Sequence, residues 1–164
     1  MQPIALFGLG IAFSFVAWGL FTAHAVWPEL RDRPTLDALR PLLILHSFRF
    51  IGLSFLIPGV VSPELPESFA LSAAYGDIIA AILALLSLAA LRTRLGIPLV
   101  WIFNIWGAAD LLGAFYQGNA NGLIPGQLGA AYFIPTVIVP FALITHGLMF
   151  RILLRRVPAA AVAH

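Results

Sequence analysis

The sequence predicts an all-α integral membrane protein: a single five-helix bundle with its N-terminus outside and its C-terminus in the cytoplasm. Three observations carry that expectation. Of 164 residues, 61% are hydrophobic and 10% charged, and the mean hydropathy is +0.98, outside the range of soluble globular domains. Five stretches reach the roughly 20 apolar residues that a helix rising about 1.5 Å per residue needs to cross the hydrocarbon core. If those stretches alternate in direction, the arginines outside them all fall on one side.

The first stretch runs from about residue 3 to 23, and the second from about 41 to 61, with Pro41 in its first turn where a missing N–H costs nothing. The third covers about 68–91, the fourth about 97–116 and the fifth about 129–150. Pro- and Gly-rich loops separate them. Residues 1–157 form one transmembrane domain in this reading, and the Ala-rich 158–164 form a flexible tail. Ala23-His24-Ala25 has the small-x-small look of a signal-peptide cleavage site. No basic group precedes the first stretch, however, and cleavage would invert every later loop.

Alternation puts Arg31, Arg33, Arg40, Arg92, Arg94, Arg151, Arg155 and Arg156 on one face and no arginine on the other. Positive loops stay in the cytoplasm, which sets the orientation and points to a multi-pass protein of a bacterial inner membrane. Trp27 and Trp101 then lie near the inner boundary and Tyr116 and Tyr132 near the outer one, where amphipathic rings prefer to sit. The basic balance is therefore a sidedness signal, and no nucleic-acid partner is expected; the lipid bilayer is the partner. The chain has no Cys and no Lys, which excludes disulfides, thiolate metal sites, thiol catalysis and Schiff-base chemistry.

Charged side chains at bilayer depth cost at least ~2.5 kcal/mol each on insertion scales, so they face the protein interior and are functional candidates. Here they are Arg49, Asp77 and Asp110, accompanied by Asn104, His46 and His146. Counting from the nearest flanking arginine at about 1.5 Å per residue puts the two histidines at one level, roughly 7–9 Å inside. The same count puts Arg49 at about 13 Å, Asn104 at about 15 Å and both carboxylates at about 22–24 Å. His46 and Arg49 share a helical face. Small residues around Asp77 and Asp110, among them Gly76, Ala80, Gly107 and Gly113, let the third and fourth helices approach closely. An Arg49–Asp77 or Arg49–Asp110 pair is within reach of the long arginine side chain. One arginine facing two acids leaves one negative charge to be met by a proton, a cation or a cationic ligand.

His46 and His146, level on different helices, permit bis-imidazole ligation of a b-type haem. A zinc site would want a further ligand at that depth, and Asn104 is a poor one. Pro135 and Pro140 should loosen the fifth helix, with freed carbonyls satisfied by Thr136 or water, or available to an ion. Neither G-x-S-x-G, H-E-x-x-H nor a phosphate-binding glycine loop is present, so the chain leans away from being an enzyme.

The middle of the chain, residues 49 to 118, resembles a group of small uncharacterised bacterial polytopic membrane proteins. The matching residues are Arg49, Phe55-Leu56, Leu65-Pro66, Phe69-Ala70, Gly76-Asp77, Asn104, Gly107 and Asp110-Leu111. The resemblance implies that Arg49, Asp77, Asn104 and Asp110 form one shared core; His46 and His146 lie outside the pattern. The leading functional expectation is binding or transport of a small ligand or ion through that network, with proton coupling through Asp77 and Asp110. The alternatives are a bis-His haem electron carrier and a structural or accessory subunit, and an oligomer or larger complex is expected because five helices are few for a transporter.

Overall fold

The computed structural model describes residues 2–155. Arg156, His164 and the 158–164 tail lie outside the described residues. Five helices are long and apolar enough to cross a membrane: α1 (Pro3–Arg31), α2 (Thr35–Leu56), α3 (Glu67–Ala90), α4 (Gly96–Ala120) and α5 (Ile134–Leu153). They join through short connections, the longest of which contains a 3-10 segment at Pro125–Tyr132.

The largest extensions beyond the expected apolar limits are in α1 and α2. α1 continues through a π-helical turn at Thr22–Val26 to Arg31, so the first connection shrinks to three residues. α2 begins at Thr35, before Pro41, and its second half changes winding: Thr35–Ser47 is α-helical and Phe48–Leu56 is 3-10. With three residues per turn, side chains at i and i+3 eclipse, and the buried residues of this half are Arg49, Gly52 and Phe55. The tighter winding thus lines up a cation, a bare backbone position and an aromatic ring along one face.

The proline pair loosens α5 as its chemistry requires. Ile134–Ile138 is a π-helical turn; the Thr136 hydroxyl donates to the Tyr132 carbonyl (2.8 Å) and the Trp18 indole to the Val137 carbonyl (3.1 Å). Trp18 also stacks on Phe141 at 4.3 Å, which ties α1 to α5. Near the Pro125 segment, Gly129 has φ +52, and a Cβ there would meet the Val60 carbonyl. Glycine is the residue that tolerates both conditions, and it lets Ala130 N donate to Val60 O at 2.8 Å.

α3 is the centre of the bundle, packed on α4 and on the 3-10 half of α2 through a run of Ala and Gly. Apolar burial divides into two clusters. One holds Leu39, Leu43, Ala80, Phe103, Leu148 and Ile152; the other holds Phe55, Ala73, Leu111, Ile134 and Ala142. On every helix from α2 to α5 the two clusters are separated by polar residues. Large apolar side chains such as Phe13, Val16, Ile82, Ile105 and Leu112 cover the outside, the surface a bundle presents to acyl chains.

The arginines gather at the end of the first cluster. Arg155 donates to the Arg31 carbonyl at 2.8 Å, Arg151 and Arg155 lie over the Trp27 ring at 3.9 and 4.5 Å, and Arg92 pairs with Asp37 at 3.4 Å.

Candidate functional site

The polar layer between the clusters is built around Arg49. Its side chain is 4% exposed, and its guanidinium contacts acceptors on two other helices, α3 and α4. Nε donates to Asp77 Oδ1 at 2.7 Å, Nη2 donates to Asp110 Oδ2 at 2.5 Å and lies 2.6 Å from Asp77 Oδ1, and Nη1 donates to the Gly107 carbonyl at 3.2 Å. The sequence allowed a pair with either acid; the structure joins both to one nitrogen. Charge-assisted bonds of this length are the strong class.

Glycines make the room for this group. A Cβ on Gly52 would run into the Asp77 carboxylate, and one on Gly76 into the Asp110 carboxylate. A Cβ on Gly107 would come within 2.5 Å of His146 Cε1 and 2.9 Å of Arg49 Nη1. Each charged side chain therefore lies against the bare backbone of a neighbouring helix or turn. Gly76 and Gly107 stood out in the sequence as small residues beside acids. Gly52 did not, because its role depends on the 3-10 winding of α2.

Asn104 departs from the expected network. It belongs to the histidines: its Nδ2 donates to the His146 carbonyl at 3.3 Å and its Oδ1 lies 2.7 Å from His146 Nδ1. Asn104 sits closer to the arginine end of α4 than Asp110 by six residues, more than a full turn, so it meets the histidine level instead. His46 Nε2 lies 3.0 Å from the Thr145 hydroxyl, which also faces the Phe141 and Ala142 carbonyls at 3.0 Å each. Thr145 was not singled out from the sequence, since a threonine hydroxyl back-bonding to its own helix has no sequence signature.

These contacts assign the tautomers. Thr145 has one hydrogen, which its own backbone carbonyls claim, so it accepts from His46 Nε2–H; Asn104 Oδ1 likewise accepts from His146 Nδ1–H. His46 Nδ1 and His146 Nε2 remain buried without partners.

The two rings are tilted by 39° with centroids 4.1 Å apart. Axial haem ligands face each other across an iron with the porphyrin plate between them, and stacked rings at this separation leave no space for that plate. His46 Nε2 is moreover occupied by Thr145. In this arrangement the histidines meet each other, flanked by Phe103 at 5.3 Å from each, and nothing in it supports bis-histidine haem ligation. Nor does a third ligand join them, since among the described residues no group of three His, Cys, Asp or Glu side chains is placed to hold a metal ion.

On the side away from the histidines, Asp77 and Asp110 line a cavity of about 260 Å³. Its walls are apolar, with Phe7 from α1, Phe55 from α2, Phe69 and Ala73 from α3, and Leu111, Ala114 and Phe115 from α4. A second cavity of about 300 Å³, bounded by Gln2, Ile4, Asn119 and Ile124, shares Ile4, Gly118, Asn119 and Leu123 with the first. Together they reach from the end opposite the arginines down to the carboxylates.

The sequence profile of a domain of unknown function, DUF8737, matches residues 6–154. The chain belongs to this family. The matched region takes in all of the polar layer and both apolar clusters. No curated protein and no solved structure matches the chain.

Proposed function

We propose that this DUF8737 protein is a multi-pass protein of a bacterial inner membrane, N-terminus outside and C-terminus cytoplasmic. In this reading it binds or carries a small ligand or monovalent cation at Arg49, Asp77 and Asp110, with coupling to protons through the two carboxylates. The grouping of Arg31, Arg92, Arg151 and Arg155 at one end of the bundle supports the orientation.

The observation that carries the binding reading is that two carboxylates share one guanidinium at the floor of an apolar cavity. One positive and two negative charges leave a surplus of one, in surroundings where an uncompensated charge costs several kcal/mol. A proton or a cation entering from the cavity neutralises it. Either excludes the other, and that competition is the physical basis for exchanging one against the other. Five crossings are few for a carrier, so the working unit is a homo-oligomer or part of a larger membrane complex.

The test is proton flux under an imposed pH gradient in liposomes carrying the purified protein. Asp77→Asn and Asp110→Asn should each abolish flux while circular dichroism reports an intact helical fold. Folded variants with wild-type flux would instead make the cluster a tie that fixes helix register.

A further inference from the structure

The same cavity carries information on what kind of cation it takes, given the reading above that its carboxylates bind one. We infer that the ligand class is a protonated aryl-alkyl amine: one ammonium group with N–H donors on an apolar, aromatic-sized body.

Three features converge on it. The first is what the carboxylates have left to offer. Arg49 holds Asp77 by Oδ1 and Asp110 by Oδ2; the other two oxygens, Asp77 Oδ2 beside Gly52 and Asp110 Oδ1 beside Gly76, have no hydrogen-bond donor within the described residues, although the Asp77 side chain is only 10% exposed. Both residues line the cavity. Because both lie 2.5 to 2.6 Å from the same guanidinium nitrogen, the carboxylates are close enough for one ammonium to address both. An N–H-bearing cation can satisfy these acceptors, and a quaternary one cannot.

The second feature is the walls. A divalent ion wants six or more oxygen ligands, or a near-octahedral shell that retains waters. The two acids share the cavity with Phe7, Phe55, Phe69 and Phe115, Ala73 and Leu111, and Asn119 adds a single amide oxygen, well short of such a shell. Rings of this kind favour a cation over their faces and an apolar body between them. The net charge of the cluster matches a single positive charge.

The third is size and access. A closed apolar cavity of about 150 Å³ holds benzene, so 260 Å³ suits a ring with a short alkyl arm. The adjoining cavity at Gln2, Ile4 and Asn119 supplies the way in.

The experiment is a binding series on the full-length protein in nanodiscs, read by saturation-transfer NMR and by the shift of thermal unfolding with concentration. The probes are 2-phenylethylamine, its N,N,N-trimethyl analogue, 2-phenylethanol, phenylacetate, and sodium and calcium ions. The primary amine should bind saturably, at least roughly tenfold more tightly than each of the others. Asp110→Asn should weaken it by roughly tenfold or more. If that variant does not fold, Ala114→Phe, which fills the cavity one turn along α4 from Asp110, should remove the binding while the unliganded protein unfolds cooperatively. Equal binding of the alcohol or the quaternary analogue, or amine binding that survives Ala114→Phe, overturns the inference. Proton flux that depends on Asp77 and Asp110 in a protein that ignores the amine also overturns it, and leaves the proposed function standing. Loss of both sinks both.

Discussion

Replacing Arg49 by methionine keeps the stem of the side chain and deletes the guanidinium. Three charge-assisted contacts at 2.5 to 2.7 Å disappear, together with the donor at 3.2 Å to the Gly107 carbonyl. Two carboxylates, 10% and 15% exposed, are left without their cation. Removing one partner of a buried charge pair costs about 3–5 kcal/mol, whereas replacing the whole group by apolar residues is close to neutral or stabilising by about 1–4 kcal/mol. Arg49→Met should therefore lower stability by about 3–5 kcal/mol, and the triple variant Arg49→Met, Asp77→Leu, Asp110→Leu should recover most of that loss. The assay is reversible unfolding in mixed micelles followed by tryptophan fluorescence. A single variant within about 1 kcal/mol of wild type, or a triple variant less stable than the single, would refute a buried, mutually dependent charge cluster.

Gly76→Ala should cost about 1–3 kcal/mol by overpacking, since its Cβ lands on the Asp110 carboxylate. Gly113→Ala on the neighbouring helix, where a Cβ meets nothing, should stay within about 0.5 kcal/mol; equal effects in the same unfolding assay would contradict the packing described. Thr145→Val leaves the His46 Nε2–H without its acceptor and should cost about 1–3 kcal/mol. It should also shift the His46 imidazole 15N resonances while leaving those of His146 in place. Because the chain has no cysteine, single cysteines report sidedness without background. Thr93→Cys should be shielded from an impermeant maleimide in intact cells and Asn121→Cys labelled; the reverse pattern inverts the orientation.

The helix count was legible because hydrophobic length is a one-dimensional property. The helix ends were less so. α1 passes through Trp27 and Glu29 to Arg31, past the point where the apolar run that hydropathy counts has ended. Depth counting placed Arg49 some 10 Å short of the carboxylates at about 1.5 Å per residue. The contact is made by the length of the arginine side chain and by a 3-10 turn that aims it at α3, a winding that no period in the sequence announces. The resemblance grouped Asn104 with Asp110, but the rise of α4 carries it to the histidine layer. Which residues are polar at depth was readable; which of them meet was a matter of rise per residue and side-chain reach.

The proposed binding site requires a cavity that opens at the end away from the arginines and ends at two carboxylates. Ala114→Cys places a thiol on its wall, and its labelling rate can be measured in right-side-out vesicles with a cationic and an anionic thiosulfonate of equal size. The cationic reagent should react at least roughly tenfold faster, and Asp110→Asn should erase most of that preference. A thiol that reacts only from the cytoplasmic face, or at equal rates with both reagents, would contradict the account.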